Sequence, residues 1–140
     1  MTSVDGAALD GAVRRVGDRW SLRLIGALLD GDRTFTELTE QLGGIAPNIL
    51  TARLRALQHQ ALVAATPYER RPLRMRYSLT EPGRRLGEAI TSLADWGARR
   101  DGRPAGRMHD ACGSALQLRP WCPTCEQLVD DDGGDDLVWC

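Results

Sequence analysis

The sequence predicts a mainly α-helical fold that carries one small β-hairpin and ends in a short cysteine-containing extension. Apolar residues recur at helical spacing through most of residues 9–93. Residues 62–79 instead have the composition of two short strands around a segment rich in proline and arginine. All four cysteines follow residue 108. We therefore divide the chain into a folded domain of residues 1–101 and a C-terminal module of residues 106–140.

Length and composition limit the class of protein. With 140 residues, 42% of them hydrophobic, the chain can bury one core of about a hundred residues. The C-terminal piece then needs another source of stability, such as a metal ion. Residues 1–11 contain Asp5 and Asp10 and do not resemble a signal peptide. The longest apolar runs, such as Ala61–Ala65, are too short to cross a membrane. We therefore expect a cytoplasmic protein without a membrane segment.

Charge is distributed unevenly along the chain. Residues 1–105 contain sixteen arginines and twelve acidic residues, a net charge of +4, whereas residues 106–140 carry −5. The positive excess is concentrated in residues 44–80, where six arginines face the single acidic residue Glu69. A local basic surface of this kind is typical of proteins that bind nucleic acids.

The first two helices are predicted upstream of residue 31. Leu9, Val13 and Val16 have helical spacing and indicate a short first helix. Asp18 can cap the next helix, which Gly31 ends. The apolar stripe of this second helix consists of Trp20, Leu24, Ile25, Leu28 and Leu29.

The next two helices form a helix-turn-helix pattern. Thr34 and Glu37 have the spacing of a capping box at the start of the third helix. The glycine pair at 43–44 breaks that helix, and Pro47 suits the first turn of a fourth. The face predicted to be buried on the fourth helix contains Leu50, Leu54, Leu57 and Ala61. Two helices joined by a short glycine turn are typical of DNA-binding proteins, in which the second helix enters the major groove.

The outward face of the fourth helix carries residue types that read base edges and phosphates. The residues predicted to contact DNA from this helix are Pro47, Asn48, Thr51, Ala52 and Arg55. Strands at 62–66 and 75–79 follow, joined by a loop at 67–73, and form a wing. Arg70, Arg71 and Arg74 at the tip of this hairpin are predicted to lie beside a minor groove or phosphates. The predicted fold is therefore a winged helix-turn-helix with a C-terminal extension.

A long last helix follows the wing, with Thr80 as its cap. Its apolar stripe consists of Leu86, Ile90, Leu93 and Trp96. Since no core remains for this stripe to cover, it is predicted to be a dimer interface. An aromatic pocket between Trp96, Trp121 and this helix is a candidate site for a small-molecule effector.

The extension contains two short loops with the spacing of zinc ligands. His109 and Cys112 are three residues apart, as are Cys122 and Cys125. Two such loops can surround one tetrahedral zinc ion per chain, a closed structural site with no position for catalytic water. His109 is preferred as the fourth ligand because it completes a regular pair of loops, and Cys140 remains an alternative ligand or a free thiol. The alternative to a zinc site is a redox-active dithiol formed by Cys122 and Cys125.

Four segments together resemble the HxlR-type winged helix-turn-helix regulators: residues 16–22, 33–38, 44–55 and 77–83. The resemblance covers about residues 8–97, in order and at the right spacing. It implies a homodimeric bacterial transcription factor that binds a pseudo-palindromic operator. No Ser/His/Asp set, phosphate loop or paired-carboxylate site accompanies these segments, so an enzyme is not expected.

Two departures from the family pattern matter for function. Many of these regulators sense oxidants through a cysteine in the first helix, and residues 9–16 contain none. A thiol switch would therefore have to use the cysteines of the extension. Ala46 stands where the family commonly has serine, so a capping side chain worth roughly 1 kcal/mol is missing. The alternatives to a zinc-containing DNA-binding regulator are a thiol-responsive regulator and an interaction module that has lost DNA binding.

Overall fold

A computed structural model describes residues 4–104, 106–116 and 119–129 of the chain. The helices are α1 (Gly6–Val16), α2 (Arg19–Leu29), α3 (Phe35–Leu42), α4 (Pro47–His59) and α5 (Glu81–Arg100). The strands are β1 (Arg33–Thr34), β2 (Val63–Arg70), β3 (Leu73–Leu79), β4 (Trp121–Cys122) and β5 (Gln127–Leu128). β1, β3 and β2 form an antiparallel sheet in that order, and β4 pairs with β5. The predicted mainly helical fold with a small hairpin is confirmed. Among the described helices, none is both long and apolar enough to cross a membrane.

The helix starts follow the predicted capping chemistry. Asp18 accepts hydrogen bonds from the backbone N–H groups of Trp20 and Ser21, each at 3.1 Å. Thr34 and Glu37 make both bonds of the capping box. Thr80 caps α5. At α4, Pro47 occupies the first turn and no side chain caps the helix, as expected from alanine at position 46.

The core lies between α2, α3, α4 and the base of the sheet. Its most deeply buried apolar side chains are Leu24, Ile25, Leu38, Leu50, Leu54 and Leu57. Val63 and Leu79 are paired across β2 and β3 and close the core from the sheet side. Ala61, which was predicted on the buried face of α4, lies beyond the helix end, is exposed and has a positive φ of 56°. The prediction for Ala61 was therefore wrong, because the helix ends two residues earlier.

The wing is longer than the sequence predicts. The expected loop at 67–73 is mostly strand, and the turn itself consists of Arg71 and a cis-linked Pro72. Because proline usually interrupts a strand, the sequence predicted that Pro67 begins the loop. It is tolerated here because β2 is an edge strand, and a bulge follows between Pro67 and Glu69. β1 was not predicted, since a two-residue strand has no sequence signal of its own.

The last helix packs more closely on the domain than expected. Leu86 and Ile90 are partly buried against the core, so the premise that the whole stripe lacks a partner was wrong for these two residues. Gly83 and Gly87 are buried where α5 meets the domain. A Cβ atom at Gly83 would overlap the carbonyl oxygen of Leu62. The first two turns of α5 are therefore held closely against the domain.

The extension contains two small loops. Met108 and Ala115 form an isolated antiparallel bridge, and the first loop lies between them. The second loop joins β4 to β5. Leu116 lies beside the second half of α5, where it lines a cleft with Trp96. The extension therefore lies alongside α5.

Candidate nucleic-acid interface and metal-ligand pairs

The orientation of α4 is set by its buried leucines. Since these side chains face the core, the opposite face is turned outward. Pro47, Asn48, Ala52 and Arg55 are exposed on it. Thr51 is half-buried, and its hydroxyl donates to the Pro47 carbonyl of the preceding turn at 2.9 Å. Four of the five residues predicted to contact DNA from this helix are therefore exposed. Thr51 is less accessible, and its hydroxyl already makes a hydrogen bond within α4.

Arg53 does not belong to the free basic surface. Its Nε atom lies 3.3 Å from Oδ1 of Asp18, so it joins the middle of α4 to the start of α2. Burial acts to raise the pKa of Asp18, but hydrogen bonds from Ser21 and the charge of Arg53 outweigh it and lower that pKa. No local pattern pairs residues this far apart in the sequence, and the prediction missed the contact.

Arg55 leaves α4 on the side of the wing. Burial raises the pKa of Tyr77, and the positive charge of Arg55 nearby acts in the opposite direction. Tyr77 belongs to β3, where it pairs with Ala65 of β2 and Arg33 of β1. The charge of Arg55 therefore acts on a residue at the base of the wing.

The wing arginines differ in their surroundings. Arg74 pairs with Glu69 across the hairpin, with Nε 3.3 Å from Oε2. Arg70 and Arg71 are exposed, and no acidic side chain within the described part of the chain pairs with either. The prediction treated the three alike. The structure brings them to one end of the hairpin but leaves two, not three, without an acidic partner there.

A further arginine supports the wing at its base. The guanidinium of Arg76 lies over the ring of Tyr68, 5.5 Å from its centroid, and donates to the Asp32 carbonyl at 3.5 Å. The first contact is within the hairpin, and the second joins the hairpin to the loop between α2 and β1. Arg76, which the sequence placed only in the general basic surface, is thus a structural arginine of the wing.

Two helices each carry a pair of exposed large apolar residues. Leu93 is 52% exposed and Trp96 is 63% exposed on α5. On α1, Leu9 and Val13 are 53% and 57% exposed. The second pair was missed as a candidate interface, although only Val16 of α1 is buried. The sequence contained a signal for this surface, because the apolar spacing that predicts α1 also predicts an apolar face on that helix.

The candidate metal ligands form two pairs. Nδ1 of His109 lies 3.2 Å from Sγ of Cys112. Hydrogen bonds from Ser114, and to a smaller extent from His109, lower the pKa of the Cys112 thiol. Within the described residues, no three histidine, cysteine or acidic side chains lie close enough to hold one metal ion. Cys140 lies outside the described residues.

The second pair occupies the hairpin of the extension. Cys122 ends β4, and Cys125 lies in the turn before β5. Hydrogen bonds from Cys125 and from the Thr124 backbone lower the pKa of the Cys122 thiol. Zinc binds thiolates and neutral imidazole, and structural sites commonly take two ligands from each of two short loops. The donor set of both loops fits zinc.

The predicted aromatic pocket takes a different form. A cleft of about 220 Å³ lies between α5 and the extension. It is lined by Ser92, Asp95, Trp96, Arg99 and Leu116. Trp121, which was predicted to line it, does not. The cleft is therefore bordered by charged groups and one indole ring instead of two.

Comparison with known proteins gives concordant results. Residues 15–103 match the sequence profile of the HxlR-like helix-turn-helix family. The HTH-type transcriptional regulator Rv3095 of Mycobacterium tuberculosis is 36% identical over 129 residues, which cover 89% of this chain and 81% of its own. The solved transcription factor PA1374 of Pseudomonas aeruginosa is 30% identical, with a TM-score of 0.63, covering 84% of this chain and 82% of its own. The oxidised form of the redox regulator HypR is 28% identical, with a TM-score of 0.62, covering 66% of this chain and 95% of its own.

The similarity to the mycobacterial regulator extends past the helix-turn-helix domain. The family profile ends at residue 103, whereas the alignment to that regulator covers 89% of the chain. Residues 1–103 make up less than 89% of the 140-residue chain, so the alignment also includes residues beyond 103. Part of residues 106–140 is therefore shared with that relative.

Proposed function

Because the chain belongs to the HxlR-like helix-turn-helix family, which consists of DNA-binding transcriptional regulators and not of enzymes, we propose that it binds a pseudo-palindromic operator as a homodimer. The observation that carries this proposal is the exposed polar face of α4. Asn48 and Arg55 lie on that face, and such side chains form bidentate contacts with adenine and guanine in the major groove. The exposed Arg70 and Arg71 extend the same basic surface onto the wing. A protein that acts on chromosomal DNA in this way works in the cytoplasm.

The exposed apolar residues support the homodimer. Leu9 and Val13 on α1 and Leu93 and Trp96 on α5 are all more than half exposed. A second copy of the chain would remove these side chains from water, at roughly 25 cal/mol per Å² of apolar area. Two copies related by a twofold axis would present two α4 helices to half-sites one helical turn of DNA apart.

The extension is proposed to hold one structural zinc ion per chain. His109, Cys112, Cys122 and Cys125 would be the ligands, with Cys140 as the alternative to His109. Each loop already holds its two donors together, and the lowered pKa values of Cys112 and Cys122 favour thiolates. Zinc would supply the folding free energy that a module with few buried side chains lacks.

A thiol-responsive regulator is the second candidate function. Two observations favour it: HypR is described as a redox regulator, and Cys122 and Cys125 belong to one short hairpin. α1 contains no cysteine, so the reactive thiols would be those of the extension. Two-electron oxidation of these thiols to a disulfide by a peroxide, which is reduced to water or an alcohol, would remove two ligands and release the metal. A small-molecule effector, if one binds, is proposed to occupy the cleft beside Trp96.

Selection of bound duplexes from a random-sequence library tests the proposed function. We expect enrichment of an inverted repeat whose half-sites are centred about 10 base pairs apart, since each α4 reads one half-site. Recovery of single half-sites would contradict the dimer. Recovery of unchanged random sequence would contradict sequence-specific binding and favour the interaction module.

A further inference from the structure

The exposed face of α4 is bordered by different elements on its two flanks. Two residues rotate an α-helix by roughly 200°, so Arg53 and Arg55 leave α4 on opposite sides. Arg55 lies on the flank opposite Arg53, and its charge acts on Tyr77 of the wing. Arg53 lies on the flank of α2, where it pairs with Asp18. The start of α2 is therefore held beside α4, across from the wing.

The start of α2 carries two arginines on a rigid support. The guanidinium carbons of Arg19 and Arg23 lie 4.8 and 5.0 Å from the ring centroid of Trp20. Trp20 packs against the core. Arg23 also donates to the Leu42 carbonyl at the end of α3, at 2.6 Å. Both arginines are nevertheless exposed, so their charges are held in place and remain accessible.

The local charge balance leaves these arginines available for an anion. Asp18, the acidic residue at the start of α2, is already paired with Arg53. Within the part of the chain that the structure describes, no acidic side chain forms an ion pair with Arg19 or Arg23; the ion pairs of α5 and of the wing involve other arginines. The two guanidinium groups therefore add net positive charge to the flank of α4 that faces away from the wing.

A helix in the major groove lies between two phosphate backbones, which form the walls of the groove. We propose that Arg19 and Arg23 bind phosphates of one backbone, while Arg70 and Arg71 on the wing bind phosphates of the other. Guanidinium groups suit this role, since their planar donors match phosphate oxygens. The proposal rests on the proposed function, because it requires α4 to enter the groove.

The salt dependence of binding to a labelled duplex of arbitrary sequence tests this proposal, since phosphate contacts carry no sequence information. Each lost contact makes the negative slope of log K against log salt concentration shallower by about 0.9 and weakens binding about eightfold at 0.1 M salt. We expect this change for Arg19→Ala, and a smaller one for Arg19→Lys, which retains the charge. Arg100→Ala removes the same charge at the far end of α5 and should leave the slope unchanged. Thermal melting of each variant confirms that it is folded.

The outcomes separate this proposal from the one on which it rests. If Arg70→Ala makes the slope shallower and Arg19→Ala does not, α2 makes no phosphate contact and DNA binding by α4 and the wing stands. An equal effect of Arg19→Ala and Arg100→Ala would reduce the role of Arg19 to net charge alone and overturn the proposal. If the unaltered chain shows no salt-dependent affinity for any duplex, the proposed function itself is wrong.

Discussion

Replacing Cys122 with serine is expected to remove zinc from the purified protein. A serine hydroxyl is a poor zinc ligand at neutral pH, and the remaining three donors form an incomplete tetrahedral set. We expect metal affinity to fall by more than about 100-fold, the upper end of the loss seen when only a hydrogen-bond partner of a ligand is removed. Elemental mass spectrometry after dialysis against a mild chelator measures the effect: about one zinc per unaltered chain and none per Cys122→Ser chain.

Two matched variants sharpen this measurement. Cys140→Ser should retain its zinc if His109 is the fourth ligand, whereas His109→Ala should lose it. The reverse pattern would assign Cys140 as the ligand instead. An unaltered chain without metal, whose Cys122 and Cys125 form a disulfide after mild peroxide treatment, would contradict the structural zinc site and favour the thiol-responsive regulator.

Replacing Gly83 with alanine is expected to destabilise the domain by about 1–3 kcal/mol. The added methyl group would overlap the Leu62 carbonyl oxygen, which is backbone and cannot rotate away. The same carbonyl accepts a hydrogen bond from the Thr80 N–H group at 3.0 Å. The substitution must therefore move α5 away from the segment that joins α4 to β2, and operator affinity should fall with stability.

Gly97→Ala is the matched control, because it lies in the same helix and nothing lies within 4 Å of its Cβ position. Alanine has the higher helix propensity, so this variant should gain up to about 1 kcal/mol. Urea unfolding at one fixed protein concentration compares the two, since a dimer unfolds in a concentration-dependent way. Destabilisation of similar size by both substitutions would contradict the close contact at Gly83.

The sequence predicted the elements whose signals are local. The capping box at Thr34 and Glu37 and the periodic leucines of α4 depend on residues a few positions apart, and the structure confirms them. The wing was predicted too short because Pro67 is acceptable only on an edge strand, and strand order is a property of the whole fold. For the same reason, β1 was not found.

The surroundings of the charged residues could not be predicted. Six arginines in residues 44–80 appeared equivalent, but Arg53 and Arg74 are committed to acidic partners. Arg76 is committed to a ring and a carbonyl. One partner, Asp18, is 35 positions away from Arg53 in the sequence. The free basic surface of the candidate site is therefore smaller than composition suggests and is divided between the two flanks of α4.

The most direct test of the central claim compares Arg55→Ala with the unaltered protein on the selected operator and on a scrambled duplex. If Arg55 reads a base from the exposed face of α4, operator affinity should fall by about 1–3 kcal/mol, with a much smaller loss on the scrambled duplex. Asn48→Ala should act in the same way at a different base pair. An unchanged preference for the operator in both variants would contradict the placement of α4 in the major groove.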